Sequence, residues 1–355
     1  DWTGNGLRYV IRQLIALGIG GALAVLTALA PTLQLRKYRK AFYIAVMVGL
    51  VLTYVPGIQH VSKGAARWIG FGGFNVQPSE FAKIAVLVVL AHFLDRWRGY
   101  IRDWRVLLQA ALIPAPVLLA VLLQPDFGTT AIIAGMCFMM LYVAGMKLSH
   151  VAILGGGGLA AGVPILLLEP YRLRRLVSFL DPFKYEDAGG HQVIQGWVAM
   201  HTGGLTGQGL GNSMAKLHFL PEPWTDFIGA VIGEELGWVG LVAVVGLYGL
   251  FVWRGLHIAR RAKDAFGMFL AATITAMVGL EAFFNLAVIL GLVPPKGLVL
   301  PFVSYGSSAM ISHLWAVGIL LSIAAEAREA PIPAGWPHRR TQLPTSTSTL
   351  PSVAR

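Results

Sequence analysis

Nine apolar runs, most of them close to the length that crosses a bilayer, constrain this chain more than any other feature. They fall at about 11–30, 41–58, 80–94, 106–123, 127–146, 150–168, 227–252, 266–292 and 308–325. A helix needs roughly 20 apolar residues to span the hydrocarbon. The hydrocarbon cannot satisfy open backbone groups, so only helices or a closed barrel can cross it. These runs are continuous rather than alternating, which selects helices. Hydrophobic residues make up 56% of the chain and charged residues only 13%, against roughly 25% charged in a soluble domain. The expectation is an all-α integral membrane protein, a polytopic helical bundle with about nine transmembrane helices. The 80–94 run is short and carries Glu80 and Lys83, which places its start at the interface. The runs at 127–146 and 150–168 form a tight helical hairpin. Gly155–Gly158 reads as a close-packing face.

The formal net charge is +11. The basic residues sit in short loops between the runs, which points to membrane topology and anionic headgroups rather than nucleic acid. The loops holding Arg36–Lys40, Arg96–Arg105, Lys147 and Arg254–Lys263, with the C-terminal tail, carry more than half of the chain's 28 lysines and arginines. They alternate along the chain and are placed in the cytoplasm. Segments 59–79, 124–126, 169–225 and 293–307 then face outward. This puts residue 1 outside with no export signal near it, and implies a further helix upstream. Two regions follow: a transmembrane domain over 1–326 and a Pro/Ser/Thr-rich cytoplasmic tail over 327–355, expected to be disordered. The single cysteine, Cys137, lies in an apolar run and rules out an internal disulfide or a thiolate metal site.

Polar residues at the outer boundary are the candidates for chemistry. Lys63 and Arg67 are either part of an interfacial belt with Trp68 and Phe71 or the rim of an anion site. Glu80 and Lys83 share one helical face and can pair. Asp126 is either a helix cap or a group that binds a cation. The 169–225 segment is too long for a plain connection. Its Arg172, Arg174 and Arg175 break the charge bias; a diphosphate or lipid headgroups would account for them. The glycine-rich run 203–211 follows no strand and is not a dinucleotide fingerprint. Asp226 sits where the chain re-enters the membrane. Glu234 and Glu235 are adjacent on a helix, so at most one can face the same cavity as Asp226. Glu281 and Asn285 are four apart on one face. Lys296 and the cluster Ser304, Tyr305, Gly306, Ser307 and Ser308 either line a polar site or cap the last helix.

Six ordered strings then carry a resemblance: ARWIGFGGFNVQPSEFAK, QPDFGT, YRLRRLVSFLDP, GGLTGQGLGNSMAKLHFLPEPWTDFI, GEELG and LPFVSYGSS. Together they resemble the SEDS family of cell-wall polymerases, which includes FtsW, RodA and SpoVE, over nearly the whole chain. YRLRRLVSFLDP and PPKGLVLPF look more like FtsW than RodA. The family has ten helices, so the first would precede residue 1. Three positions depart from the usual pattern: Ser307 for a glycine, Trp224 for a histidine, and His218 for an acid.

The resemblance implies a peptidoglycan glycosyltransferase that polymerises lipid II at the outer face of the bacterial cytoplasmic membrane. It makes Asp226 the catalytic acid, here as general base. Lys63, Arg67, Glu80, Lys83, Asp126, Arg172, Arg174, Arg175, Lys216, Glu222, Lys296, Ser304 and Tyr305 become candidates for substrate contact. It implies a class B penicillin-binding protein as transpeptidase partner, together with other divisome or elongasome proteins. A divalent cation, Mg or Mn, near Asp226 or Asp126 fits the chemistry, although no clustered ligand motif calls for one. Helix 150–168 and the helices flanking the long loop are partner surfaces to consider. Three other readings stay open: a RodA-type polymerase of elongation, a lipid II flippase supported by the intramembrane acids, and a non-catalytic scaffold.

Overall fold

The computed structural model describes residues 6–57, 59–62, 65–71, 74–167, 170–186, 190–221, 223–295 and 297–329. Most of the expected tail, together with Lys63, Glu222 and Lys296, lies outside the described residues. Residues 327–329, assigned to the tail, continue the last helix.

Twelve α-helices dominate: α1 (Gly6–Leu29), α2 (Thr32–Leu52), α3 (Pro78–Arg96), α4 (Trp104–Leu112), α5 (Ala115–Leu123), α6 (Phe127–Val143), α7 (Leu148–Leu167), α8 (Pro170–Leu180), α9 (Gly190–Gly203), α10 (Ile228–Arg261), α11 (Ala265–Ile289) and α12 (Ser307–Glu329). Five spans among the described residues are long and apolar enough to cross a membrane: Tyr9–Leu29, Trp104–Leu123, Ile228–Arg261, Ala265–Ile289 and Ser307–Arg328. α6 and α7 are shorter apolar helices, while α2 and α3 carry more charge.

The charge on α2 corrects one boundary. The stretch Arg36–Lys40, expected in a loop, is helical. Arg36 is bound to Asp95 at 2.8 Å and to Asp264 at 2.5 Å, so the helix extends past its apolar part without an isolated charge. Asp264 also caps α11, accepting from Gly267 N at 2.8 Å. Pro114 separates α4 from α5 because a proline nitrogen has no hydrogen to donate.

The segment expected as a belt loop is a small antiparallel sheet, β1 (Gln59–Ser62), β2 (Ala65–Phe71) and β3 (Phe74–Val76), in the order β1-β2-β3. This corrects a purely helical reading. Backbone outside the hydrocarbon core can pair with a neighbouring strand, and alternation over so short a stretch leaves little signal.

Both the interior and much of the exterior are apolar. α3 and α11 form the centre, with Ile84, Leu87, Leu90, Phe266, Leu270 and Ile274 fully enclosed. The outer helices turn leucines and valines outward; Val239, Val242 and Leu247 on α10 are each at least 65% exposed. Glycines let helices touch where α1 meets α12. A Cβ on Gly20 would lie 2.7 Å from Leu314 Cδ1, and one on Gly318 2.5 Å from the Ala24 carbonyl. Of the expected packing face on α7, Gly155 meets the Phe138 ring of α6, 3.8 Å from an added Cβ, while among the described residues Gly156, Gly157 and Gly158 have nothing within 4 Å. Small residues permit close approach but do not supply a neighbour.

Candidate active site

Asp226 lies in the turn that leads into α10 and is half-buried. Residues 224–226 belong to no helix or strand, so their carbonyls need partners from elsewhere. All three find one. Tyr305 N donates to the Trp224 carbonyl at 2.8 Å. Ser304 Oγ donates to the Thr225 carbonyl at 2.6 Å. Asn285 Nδ2 donates to the Asp226 carbonyl at 3.0 Å and to the Leu298 carbonyl at 2.6 Å. The carboxylate lies against Gly297, where a Cβ would come 3.3 Å from Oδ2.

The loop that supplies these donors is itself held at several points. Ser304 Oγ accepts from Leu300 N at 2.7 Å. Tyr248 on α10 donates its hydroxyl to the Pro301 carbonyl at 2.5 Å. Gln13 on α1 meets the Ser304 carbonyl and Gly306 N, each at 3.4 Å. The Tyr305 ring stands edge-on to Tyr9, with centroids 5.2 Å apart. Phe302 has a left-handed φ of 67°, a strained conformation for an aromatic residue. Its ring lies between Phe251 and His313, at centroid distances of 6.0 and 5.6 Å.

The glycine-rich run has a structural role that the sequence did not disclose. α10 breaks at Gly237, with φ 66° and ψ −167°, a conformation open to glycine. A break in a membrane helix orphans backbone groups, and those groups must find partners within the protein. Residues 204–209 provide them. Gln208 N donates to the Glu234 carbonyl at 2.9 Å and Gly209 N to the Glu235 carbonyl at 3.0 Å. In return, Trp238 N donates to the Gly204 carbonyl at 3.0 Å and Val239 N to the Leu205 carbonyl at 3.1 Å. The approach is backbone to backbone: a Cβ on Gly237 would sit 2.5 Å from Gly207 N.

Glu234 and Glu235 diverge, as their adjacency requires. The Glu234 carboxylate accepts from Ser213 Oγ at 2.5 Å, Met214 N at 3.1 Å and Ala215 N at 3.2 Å. It thereby anchors the π-helical turn Ala215–Phe219. Glu235 pairs with Lys216, whose ammonium also lies 5.9 Å from the centre of the Trp224 ring. Lys216 is therefore next to the Asp226 turn while already paired with a carboxylate.

Glu80 and Lys83 go to the bundle core. Lys83 Nζ lies 2.8 Å from Glu80 Oε2 and 2.6 Å from Glu281 Oε1. His313 Nε2 is 2.6 Å from Glu281 Oε2, and its Nδ1 is 2.6 Å from the Ala309 carbonyl. Ser312 Oγ adds a bond to Glu80 Oε2 at 3.3 Å. All four ionisable residues are at most 6% exposed. Glu80 and Lys83 pair with each other, the alternative their shared helical face offered; charges this deep are held by each other. The sequence reading missed His313, although an ionisable side chain in an apolar helix was the available signal.

The remaining candidates divide. Arg67 donates from Nε to the Gln124 carbonyl at 3.1 Å and from Nη2 to the Pro125 carbonyl at 2.7 Å. It ties the sheet to the α5–α6 junction. Asp126 caps α6, accepting from Thr129 N at 3.2 Å and Thr129 Oγ1 at 3.0 Å. Arg172, Arg174 and Arg175 all lie on α8, with Arg174 exposed and Arg175 half-buried. Among the described residues, no three His, Cys, Asp or Glu side chains gather into a metal-sized group.

Known proteins are similar to this chain in sequence and fold. Residues 1–329 match the sequence profile of the family described as cell cycle protein, comprising FtsW, RodA and SpoVE. The chain is 41% identical over 335 residues to a probable peptidoglycan glycosyltransferase FtsW of Trichlorobacter lovleyi, covering 92% of this chain and 86% of that one. It is 39% identical over 318 residues to the stage V sporulation protein E of Bacillus subtilis, covering 89% and 87%. Its fold matches a chain from a structure of a peptidoglycan synthase complex that coordinates polymerization and crosslinking, with a TM-score of 0.76, 31% identity and 91% of each chain covered. With these similarities joined to the apolar spans and the clamped Asp226 turn, the chain belongs to the FtsW/RodA/SpoVE family of integral membrane proteins.

Proposed function

We propose that this chain is a peptidoglycan glycosyltransferase that polymerises lipid II into β-1,4-linked glycan during cell division. The observation that carries this reading is Asp226. It presents a carboxylate from a turn whose three carbonyls are each tied to neighbouring elements. In this reading the turn lies at the outer face of the cytoplasmic membrane, a choice supported by the bias of basic residues toward the alternate loops.

In this reading Asp226 acts as general base. It accepts the proton from the 4-hydroxyl of the acceptor GlcNAc as that oxygen attacks the anomeric carbon of the donor MurNAc. The bond from that carbon to the diphosphate oxygen breaks, and undecaprenyl pyrophosphate leaves with the bonding electrons. Attack opposite the leaving group inverts the anomeric centre. The arginines of α8 and the Lys216 ammonium supply positive charge for the departing diphosphate. A divalent cation at Asp226 would draw its other ligands from diphosphate oxygens, since the described residues offer no group of three. The intramembrane acids that favoured a flippase each have partners: Glu234 the Ser213 hydroxyl and the Met214 and Ala215 amides, Glu235 Lys216, and Glu281 Lys83 and His313.

The partner is a class B penicillin-binding protein. A relative in fold occurs in a complex of polymerization with crosslinking, which supports this choice. The test is polymerisation of labelled lipid II by the full chain with that partner in liposomes. Wild type makes glycan strands and Asp226→Asn does not. Normal polymerisation by Asp226→Asn removes the base assignment. Transfer of lipid II between leaflets without strand growth by wild type would replace the reading with the flippase.

A further inference from the structure

We propose that Asn285 and Ser304 are positioning residues for Asp226, with Gly297 leaving the space in which its carboxylate rests. This deepens the proposed function and rests on it.

The argument starts from the direction of the bonds. A serine hydroxyl has one hydrogen. Ser304 accepts from Leu300 N at 2.7 Å, so its own hydrogen is free for the Thr225 carbonyl at 2.6 Å. An asparagine amide has two hydrogens on nitrogen. Both are used on carbonyls, those of Asp226 and Leu298. Flipping the amide would set its oxygen against two other oxygens, so its orientation is determined. Both side chains are buried, at 1% exposed for Asn285 and 4% for Ser304. Neither bonds the carboxylate in these contacts; they hold the backbone behind it.

Their separation in sequence matters as much. Asn285 is 59 residues from Asp226, and Ser304 is 79 from Thr225. The position of Asp226 is thus set by α11 and by the segment before α12 rather than by its own loop. One turn below Asn285, Glu281 joins the buried Lys83 and His313. The carboxylate is therefore referred to the most deeply buried part of the bundle. Gly297 completes the arrangement from the other side. Its φ is not left-handed, so it is space and not backbone conformation that an added methyl would violate. A Cβ there meets Asp226 Oδ2 at 3.3 Å, and the carboxylate must yield by a few tenths of an ångström.

The experiment uses the full chain with its transpeptidase partner in liposomes and labelled lipid II, comparing Ser304→Ala, Ser304→Thr, Gly297→Ala and Asp226→Asn. A misplaced reacting group lowers kcat by up to about 100-fold per ångström, while substrate binding is largely kept. Ser304→Ala is expected to lose about 10-fold to 100-fold in kcat, with KM within about 3-fold. Ser304→Thr keeps the hydroxyl and is expected to recover most of the loss. Gly297→Ala removes no hydrogen bond, yet it is expected to lower kcat in the same way, which keeps the proposal testable if the Ser304 variants fail to fold. Wild-type kcat in both Ser304→Ala and Gly297→Ala, or a change confined to KM, overturns the proposal while an inactive Asp226→Asn leaves the polymerase reading intact. Full activity in Asp226→Asn brings down both.

Discussion

Glu281 and Asn285 sit one turn apart on the same face of α11 and hold two different layers of the molecule. Glu281 gathers the side chains of Lys83 and His313 in the bundle core. Asn285 gathers the backbone carbonyls of Asp226 and Leu298 at the turn before α10. α11 is among the most enclosed helices, so both layers share one rigid support. Phe302 adds a second link, stacking on His313 from the loop that carries Ser304.

The core layer should show strong coupling. Removing one member of a buried charged group leaves its partners uncompensated, at a cost of roughly 3–5 kcal/mol. Lys83→Met is expected to destabilise by that order. Adding Glu281→Gln to it should restore part of the loss, because the second change removes an orphaned carboxylate. Thermal unfolding of the purified protein across the double-mutant cycle measures this, and additive losses would refute the coupling.

The break in α10 predicts a contrast between two glycines of one helix. Gly237→Ala forces a Cβ into a left-handed backbone and into the 205–207 segment. The expected loss is on the order of 3 kcal/mol. Gly246→Ala meets nothing within 4 Å. It should be neutral or stabilising by up to about 1 kcal/mol through helix propensity. Melting temperatures of the two variants should move in opposite directions or by clearly different amounts.

Glu234 serves three donors, so Glu234→Ala should free the segment 213–219 while leaving the bundle folded. The measurable sign is faster proteolysis or amide exchange in that segment, with a loss of about 2–3 kcal/mol from donors left without an acceptor. Unchanged protection there would show that the turn is held by other contacts.

Arg36 joins α2 to Asp95 and Asp264, but its partners are 24% and 41% exposed. Solvent screens such pairs, so Arg36→Gln should cost only about 1 kcal/mol. The difference from wild type should shrink as salt is raised, and a salt-independent loss would assign the effect to packing over Phe266 instead.

Much of the bundle was legible because hydropathy reports directly on the lipid-facing surface. The boundary of α2 was not, since the partners that neutralise Arg36 lie 59 and 228 residues away. The Glu80–Lys83 pair could be read from its spacing, whereas Glu281 and His313 joined it only in three dimensions. Asp226 reads as an ordinary helix-start acid from local pattern, and the family resemblance singled it out. Nothing local in Asn285, Gly297 or Ser304 shows that they meet around it. Gly155–Gly158 was legible only in part: a run of small residues is compatible with a close neighbour but does not specify which member meets one, and among the described residues it is Gly155, against Phe138.

The exchange of hydrogen bonds between residues 204–209 and α10 makes this stretch unlike an ordinary exposed connection, which tolerates added residues. Here the number of residues from Gly204 to Gly209 is matched to the gap at Gly237, so lengthening it by one would shift every donor off its acceptor. Such an insertion would unseat the transmembrane helix itself, making the N-terminal part of α10 and the end of α9 a single mechanical unit that must move together or not at all.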